Sequence, residues 1–291
     1  MQEFIVGPED SGTRADVYIA KNYPDYTRSS LERLFDNGMV TLEGEPIKAG
    51  YKLKGKEIIS VDESKLRAEP AVVDLPVLYE DDNVVVINKP EGFLTHSKGA
   101  LNEESTVASF LKPKINDNAL TGNRAGIVHR LDRGTSGVLI GAKNSETLSR
   151  LQKQFSQRKT KKIYTAVVEG VPEPAEALID APIGRNPKRP QSFRVDASGK
   201  AATTQYKVLN SVAIDGKTYS LVELRPATGR THQIRVHMAY IGHPVVGDHV
   251  YGHDGEHLLL HAASLEITLP TSERRVFSAP LPGYFNNFLP K

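Results

Sequence analysis

Residues 1–62 combine two amphipathic patterns with short apolar runs. Helical spacing is seen over residues 13–21 and 29–37, and the second segment places Leu31, Leu34 and Phe35 on one face. Strands are predicted at residues 39–42 and 57–61. The pattern therefore predicts a small N-terminal α/β module over residues 1–62.

A second, larger domain is predicted over residues 77–291. Residues 63–76 between the two are acidic, contain proline and lack a clear period, which is typical of a linker. The apolar runs at 77–79 and 84–87 flank an acidic turn and predict a hairpin. A helix is predicted at 145–157, and further strands at 163–168, 203–209, 219–224 and 258–269. Many strands with few long helices favour an α+β fold with a mixed, mainly antiparallel sheet over a doubly wound one.

Composition excludes several classes of chemistry. The chain has no cysteine, so disulfides, thiolate zinc sites and cysteine nucleophiles are excluded. No apolar run has the length of a transmembrane helix, and the first residues do not resemble a signal peptide. These features predict a soluble, cytoplasmic protein.

Charge is distributed unevenly along the chain. Residues 1–82 carry ten Lys/Arg and seventeen Asp/Glu, whereas residues 83–291 carry 27 and 18. The excess is concentrated in residues 143–162, with seven basic residues and one acidic, and in 185–200, with five and one. The excess of basic residues over 83–291 indicates a polyanionic partner, although many proteins of other function also have unevenly distributed charge.

The segment His129–Ile140 (HRLDRGTSGVLI) places one carboxylate, Asp132, among two arginines and a histidine before an apolar strand. Nearby cations would keep this Asp ionised, and the carboxylate could serve as a nucleophile or base. The structural alternative is an Asp in a turn that forms a salt bridge to Arg130 or Arg133. Composition alone leaves both interpretations open.

A second basic segment is Gly229–His237 (GRTHQIRVH). If Thr231 caps a helix, then Ile234, Met238 and Ile241 lie on its buried side. Arg230 and Arg235 would then lie near the helix start, facing an acidic group or a phosphate. A solvated basic helix start is the alternative.

Two further kinds of site are disfavoured by the pattern. Histidines recur every four residues, at His249, His253, His257 and His261, but glycines interrupt the segment and the zinc-peptidase pattern is absent, so no metal site is predicted. Ser136 lacks the flanking glycines of a nucleophile elbow. No phosphate-binding loop or dinucleotide fingerprint is found.

Taken together, these motifs resemble those of the RluA-type pseudouridine synthases, in the RluD-like branch that carries an N-terminal S4 domain. The similarity covers nearly the whole chain. Residues 129–137 match the family pattern HRLDxxTSG, and residues 229–237 match GRTHQIRVH. Further matching segments are residues 88–92 (NKPEG), 162–166 (KIYTA) and 247–252 (GDHVYG).

The resemblance implies an isomerase that converts uridine to pseudouridine in RNA without a cofactor. It implies that Asp132 is the catalytic carboxylate, that Tyr164 packs against the target base and takes the C5 proton, and that Arg235 pairs with the carboxylate. It also implies that Arg130 fills the space left by a flipped nucleotide, as expected if a stacked base must be extruded to reach the site. Other RNA contacts are expected from Lys161, Lys162, Arg230 and His232. Relatives often carry Asp at the position of Gly134, which is expected to adjust the loop and not to abolish activity.

The N-terminal module resembles the family's S4 domain, and its expected RNA contacts are Arg28, Ser29 and Arg33. Residues 1–62 carry eight basic and eleven acidic groups, so any contact must come from a local basic face. The expected substrate is structured RNA, with large-subunit ribosomal RNA favoured and transfer RNA as the alternative. A catalytically idle RNA-binding or assembly protein would share these features, and it predicts that Asp132→Asn changes nothing. A histidine-metal hydrolase would instead contain bound zinc.

Overall fold

A computed structural model of the chain describes residues 1–24, 26–67, 71, 73–97 and 104–289. The chain forms two compact units. The first comprises Met1–Val73 with His96–Phe110, and the second comprises Asp74–Thr95 with Leu111–Lys291. Of the predicted linker, residues 68–70 and 72 lie outside the described residues, and a one-turn helix precedes them. The assignment of residues 1–62 to an S4-like domain and of 77–291 to a catalytic domain stays a prediction.

The first unit contains a four-stranded antiparallel sheet, two longer helices and short helical segments among its described residues. The strands are β1 (Gln2–Ile5), β2 (Val40–Leu42), β3 (Glu45–Pro46) and β4 (Ile58–Val61), in the order β1-β4-β2-β3. The helices are α1 (Ala15–Asn22) and α2 (Arg28–Asp36), followed by the short α3 (Ser64–Arg67). Thr27 caps α2 by accepting a hydrogen bond from the amide of Ser30, and Leu31 and Leu34 are buried as the spacing predicts.

The second unit is built on one large sheet. Its strands are β5 (Val77–Glu80), β6 (Val84–Lys89), β7 (Ser136–Ala142), β8 (Lys161–Glu169), β9 (Glu176–Asp180), β10 (Ile183–Arg185), β11 (Phe193–Val195), β12 (Thr203–Ile214), β13 (Lys217–Pro226), β14 (Leu260–Thr268) and β15 (Arg274–Ser278). Its longer helices are α5 (Ser145–Ser156) and α6 (Gln233–Tyr240). The short α4 (Val107–Leu111) lies mostly in the first unit, whose second segment ends at Phe110.

Among the described residues, nine of these strands join in the order β5-β6-β7-β14-β8-β13-β12-β9, with β15 paired to β14. The β7–β14 pair is parallel and the other pairs are antiparallel. The predicted α+β fold with a mixed, mainly antiparallel sheet is confirmed. The two strands β10 and β11 form a separate antiparallel hairpin.

Two strands extend well beyond their predicted ends. The apolar runs at 203–209 and 219–224 predicted only the more buried parts of β12 and β13. Both strands continue as an antiparallel pair to the turn between Ile214 and Lys217. The outer part alternates exposed and half-buried residues. Backbone hydrogen bonds maintain strand pairing there, although the side chains supply little apolar signal.

The helix that follows Gly229 does not begin as predicted. Thr231 is not its cap, since α6 starts at Gln233 and the preceding residue His232 has left-handed backbone torsions, with φ 56° and no capping hydrogen bond from its side chain. The predicted buried residues Ile234 and Met238 are buried, but so are Arg235 and His237. The helix is enclosed by protein along most of its surface.

No helix in the described ranges combines the length and hydropathy that crossing a membrane requires.

Candidate active site

A cavity of about 440 Å³ lies in the second unit, where the segment before β7, the start of β8 and the start of α6 meet. Its size is in the range of small-ligand sites. It is lined by residues of both sequence motifs, including Asp132, Tyr164 and Arg235. The tertiary structure thus brings together two segments that are about a hundred positions apart in sequence.

Asp132 is on the turn that leads into β7, and its carbonyl accepts a hydrogen bond from the amide of Thr135. The side chain is 18 % exposed, so it faces the cavity without being freely solvated. Arg235 Nη1 lies 3.8 Å from Asp132 Oδ2 and His232 Nε2 lies 3.9 Å from the same oxygen. The neighbouring Arg133 donates to the carbonyl of Gly92. Arg235 of α6 and His232, the residue before α6, thus both approach the same oxygen of Asp132.

Arg235 is held in place by Asp248. Its Nε and Nη2 each donate to one carboxylate oxygen at 2.7 Å, in the bidentate geometry that guanidinium favours. Both side chains are buried, with 6 % and 0 % exposure. Burial acts to raise the pKa of Asp248, but the hydrogen bonds and charge of Arg235 outweigh it and the pKa lies below its usual range. Asp248 therefore remains ionised and keeps Arg235 aimed at the cavity.

No role of Asp248 was predicted from the sequence. The residue stands in the quoted segment 247–252, and that motif was the available signal. Asp248 Oδ1 also accepts hydrogen bonds from the amides of Val250 and Tyr251. The guanidinium of Arg235 lies 5.2 Å from the centre of the Tyr251 ring, a cation–π distance.

Tyr164 and Lys162 enter the cavity from β8. Burial, followed by the negative charge of Asp132, raises the pKa of Tyr164 above its usual range, so the phenol is protonated at neutral pH. Burial lowers the pKa of Lys162 to about 8, and its Nζ donates to the carbonyl of Thr228 at 3.2 Å. The aromatic wall continues with His129 stacked on Phe155, at 4.5 Å between ring centres.

A buried lysine supports the loop that carries Asp132, a role that was not predicted from the sequence. Lys89 is 0 % exposed, and its Nζ donates to the carbonyls of Pro90, Phe93 and Arg133. Burial lowers the pKa of this amine to about 7. The three hydrogen bonds connect the end of β6 to the residue after Asp132.

The predicted RNA contacts are distributed over several surfaces. Four of them line the cavity with the predicted catalytic residues, namely Arg130, Lys162, Arg230 and His232. Lys161 is not a cavity residue, since its side chain is 73 % exposed and pairs with Glu266. The remaining three, Arg28, Ser29 and Arg33, are exposed on α2 of the first unit. Arg28 also forms an ion pair with the carboxylate of Asp16.

The four histidines spaced by four residues do not share a helical face. They lie on turns and on β14, and three have separate partners: His253 contacts Glu169, His257 contacts Glu91, and His261 contacts Ser136. Within the described residues no group of three or more His, Cys, Asp or Glu side chains could hold a metal ion.

Comparison with known proteins identifies the family of the chain. The RNA pseudouridylate synthase family model matches residues 83–240, which is more than half of the chain. The ribosomal large subunit pseudouridine synthase D of Borreliella burgdorferi is 37 % identical, over 99 % of this chain and 91 % of that protein. The protein of the same name from Xanthomonas campestris is 34 % identical, over 97 % and 89 %.

Solved structures show the same relationship. The human protein RNA pseudouridylate synthase domain containing 1 superimposes with a TM-score of 0.59 at 30 % identity, covering 73 % of this chain and 86 % of that one. The chain therefore belongs to the RNA pseudouridylate synthase family, in its RluD-type branch, and is an RNA pseudouridine synthase, an isomerase.

Proposed function

We propose that this enzyme isomerises specific uridines in large-subunit ribosomal RNA, with Asp132 as its catalytic carboxylate. The observation that carries the proposal is the position of Asp132 in the cavity, with Arg235 Nη1 at 3.8 Å and Tyr164 in the same wall. The choice of RNA is supported by the names of its relatives, several of which are called ribosomal large subunit pseudouridine synthase D. A ribosomal RNA substrate is consistent with the cytoplasmic location that the sequence predicts.

In the proposed reaction, Asp132 initiates cleavage of the bond between N1 of uracil and C1′ of ribose. The freed base rotates, C5 bonds to C1′, and a base in the site removes the proton on C5, which then passes to solvent, while N1 gains a proton. Substrate and product are isomers, so the reaction consumes no oxidant, reductant or group donor. Arg235 offers a fixed positive charge beside Asp132, where charge changes during the reaction.

Tyr164 is proposed to stack on the uracil and to accept the C5 proton. Stacking of a base on an aromatic ring contributes on the order of 1–3 kcal/mol. Because its raised pKa keeps the phenol protonated, acceptance of the C5 proton requires a second group to take the phenolic hydrogen. Asp132 lines the same cavity and its negative charge acts on Tyr164, so it is the proposed acceptor.

Arg130 is proposed to occupy the space left by the extruded nucleotide. It is an exposed cavity residue two positions before Asp132, so it could enter the RNA as the uridine enters the site. The basic stretches 143–162 and 185–200 are proposed to contact phosphates. In the first unit an S4-like RNA-binding role is supported by the exposed Arg28, Ser29 and Arg33 on α2.

The decisive experiment measures tritium release from ribosomal RNA labelled at uridine C5, with the wild-type protein and Asp132→Asn. Asn is nearly isosteric with Asp but cannot act as an ionised carboxylate. We expect release by the wild type and none by the variant, with both proteins folded to the same extent by circular dichroism. Equal release by both would exclude the assignment of Asp132.

A parallel assay on transfer RNA separates the alternatives. Release from transfer RNA but not from ribosomal RNA would move the proposal to the other substrate with the same chemistry. Binding of both RNAs without release from either would favour an RNA-binding protein that does not catalyse.

A further inference from the structure

His232 has a backbone conformation that residues other than glycine seldom adopt. It is the residue immediately before α6, with φ 56° in the left-handed region. Such conformations persist where the surroundings over-determine them, and they occur often at functional sites. The result here is that the imidazole lines the cavity with Nε2 facing Asp132 Oδ2 at 3.9 Å.

The other ring nitrogen of His232 contacts Tyr251. The distance from Nδ1 to Tyr251 Oη is 2.8 Å. Tyr251 Oη also receives a hydrogen bond from the amide of Phe193, at 2.9 Å. An amide nitrogen can only donate, so the hydroxyl is the acceptor in that contact and its hydrogen remains free to donate. Among the hydrogen bonds described for Tyr251 Oη, His232 Nδ1 is the group that can accept this hydrogen, so we assign the donor to the hydroxyl. Nδ1 is then the acceptor, and in a neutral imidazole the proton must be on Nε2.

Two aromatic rings also restrict the orientation of this imidazole. Phe193 and Tyr251 both meet His232 edge-to-face, at 5.8 and 5.6 Å between ring centres. A rotation of the ring by 180° would break the contact with Tyr251. Burial lowers the pKa of His232, and this effect outweighs the opposing charge of Asp132, so the neutral form is favoured.

We propose that His232 is a positioning residue for the catalytic carboxylate: Tyr251 selects the tautomer that directs Nε2–H to Asp132 Oδ2. This inference rests on the proposed role of Asp132, and it replaces the expectation that His232 contacts RNA. His232 and Arg235 both approach Oδ2, from 3.9 and 3.8 Å. These distances exceed a direct hydrogen bond, but a small rotation of the carboxylate would bring a donor within range, as often occurs when substrate binds. With Oδ2 engaged by donors, Oδ1 is the oxygen available to react.

The tautomer can be measured without any assay of activity. In protein labelled with ¹⁵N-histidine, we expect the His232 signals of a protonated Nε2 and an unprotonated Nδ1. Tyr251→Phe keeps the aromatic ring and removes the hydroxyl, so it should shift His232 toward a mixture of tautomers. A protonated Nδ1 in the wild type would overturn the proposal, as would an unchanged spectrum in Tyr251→Phe.

Kinetics with two matched variants tests the effect on the reaction. His232→Gln retains an amide donor near the position of Nε2, whereas His232→Asn tolerates left-handed backbone but is too short to reach Asp132. We expect kcat to fall about ten-fold or more in His232→Asn, as for loss of one hydrogen bond to a charged group, with KM for RNA unchanged. His232→Gln should recover most of this loss. A raised KM with unchanged kcat in both variants would make His232 an RNA contact and overturn the proposal.

A double-mutant cycle shows whether Tyr251 acts through His232. We expect Tyr251→Phe to lower kcat in the wild type but to add little in the His232→Asn background. If the effects of Tyr251→Phe and His232→Asn on kcat were fully additive, Tyr251 would not act through His232. Asp132→Asn is measured alongside: if that variant retains activity, the role of Asp132 fails, whereas the ¹⁵N spectrum still decides the tautomer.

Discussion

The hydroxyl of Tyr164 and its ring have separate expected roles, and they can be separated by one substitution. Tyr164→Phe keeps the stacking surface and removes the oxygen that would accept the C5 proton. A positioned general base contributes about 10²- to 10⁴-fold to a rate. We therefore expect tritium release to fall at least about 100-fold, with little change in RNA affinity.

The control for Tyr164→Phe is Tyr164→Leu, which removes the aromatic ring as well. It should lose RNA affinity in addition to rate. If Tyr164→Phe retained nearly full activity, Tyr164 would act through stacking alone, and another group would accept the C5 proton.

His237 is a buried histidine outside the cavity and should affect stability and not catalysis. It is 0 % exposed, and its ring contacts the hydroxyl of Thr204 and the carbonyl of Ala181. Burial lowers its pKa in the folded protein. Below the unfolded pKa of about 6.5 the unfolded chain binds the proton more readily, so this contribution to stability is present above that pH and is lost as pH falls.

Urea unfolding of the wild type and His237→Gln at pH 7.0, 6.0 and 5.0 measures this contribution. We expect the free energy of unfolding of the wild type to fall more steeply with decreasing pH, with a difference approaching about 1.4 kcal/mol per pH unit. Equal slopes for the two proteins would mean that His237 accepts a proton without unfolding.

The pairing of β7 with β14 depends on a glycine. Gly137 has φ +112°, and a Cβ at this position would lie 2.2 Å from the carbonyl oxygen of Ala262. Since β7 follows directly after Asp132, a displaced strand would also displace the carboxylate. We expect Gly137→Ala to lower the free energy of unfolding by more than about 2 kcal/mol and to lower kcat.

Gly216→Ala, in the turn between β12 and β13, is the matched control for Gly137→Ala. Gly216 also has a positive φ, +74°, but no atom lies within 4 Å of a Cβ there. The Gly216→Ala variant should lose only the free energy of unfolding that corresponds to backbone strain, on the order of 1–2 kcal/mol. Its kcat should be normal. Equal effects of the two substitutions on stability would show that the contact with Ala262 contributes nothing.

The charge of the protein as a whole is nearly balanced, at +2, but residues 83–291 carry a net charge of +9 and residues 1–82 a net charge of −7. RNA affinity should therefore fall steeply with salt, because each phosphate contact releases counterions. The exposed Lys188 and Arg189 belong to the basic stretch 185–200. We expect Lys188→Ala/Arg189→Ala to reduce the slope of log K against log salt by about 1–2.

In this experiment kcat at saturating RNA should not change, because neither residue is in the cavity. Lys217→Ala, at the turn between β12 and β13, is the control and should leave the slope unchanged. If Lys217→Ala and the double variant had the same effect, the basic stretch 185–200 would have no specific part in RNA binding.

Local patterns in the sequence were sufficient for the type of many elements but not for all of them, since β1, β9, β10, β11 and β15 were not predicted. The apolar run of β6, the spacing of α2 and α5 and the turn before β7 are encoded within a few neighbouring residues, so their prediction required no knowledge of the fold. The two motifs at 129–137 and 229–237 indicated Asp132 and Arg235 through family resemblance. Their roles in the reaction stay predictions until the experiments above are done.

Contacts between distant segments were decided only by the tertiary structure. Sequence spacing could not pair Arg235 with Asp248, place Lys89 beneath the carbonyl of Arg133, or start α6 after a left-handed His232, since each depends on how separate elements pack. The same holds for protonation: burial and nearby charge determine the pKa of Tyr164 and His237, and both arise only when the chain is folded. The sequence thus specifies which groups the site contains, whereas the fold sets their distances, partners and charge states, because these depend on segments that become neighbours only in three dimensions.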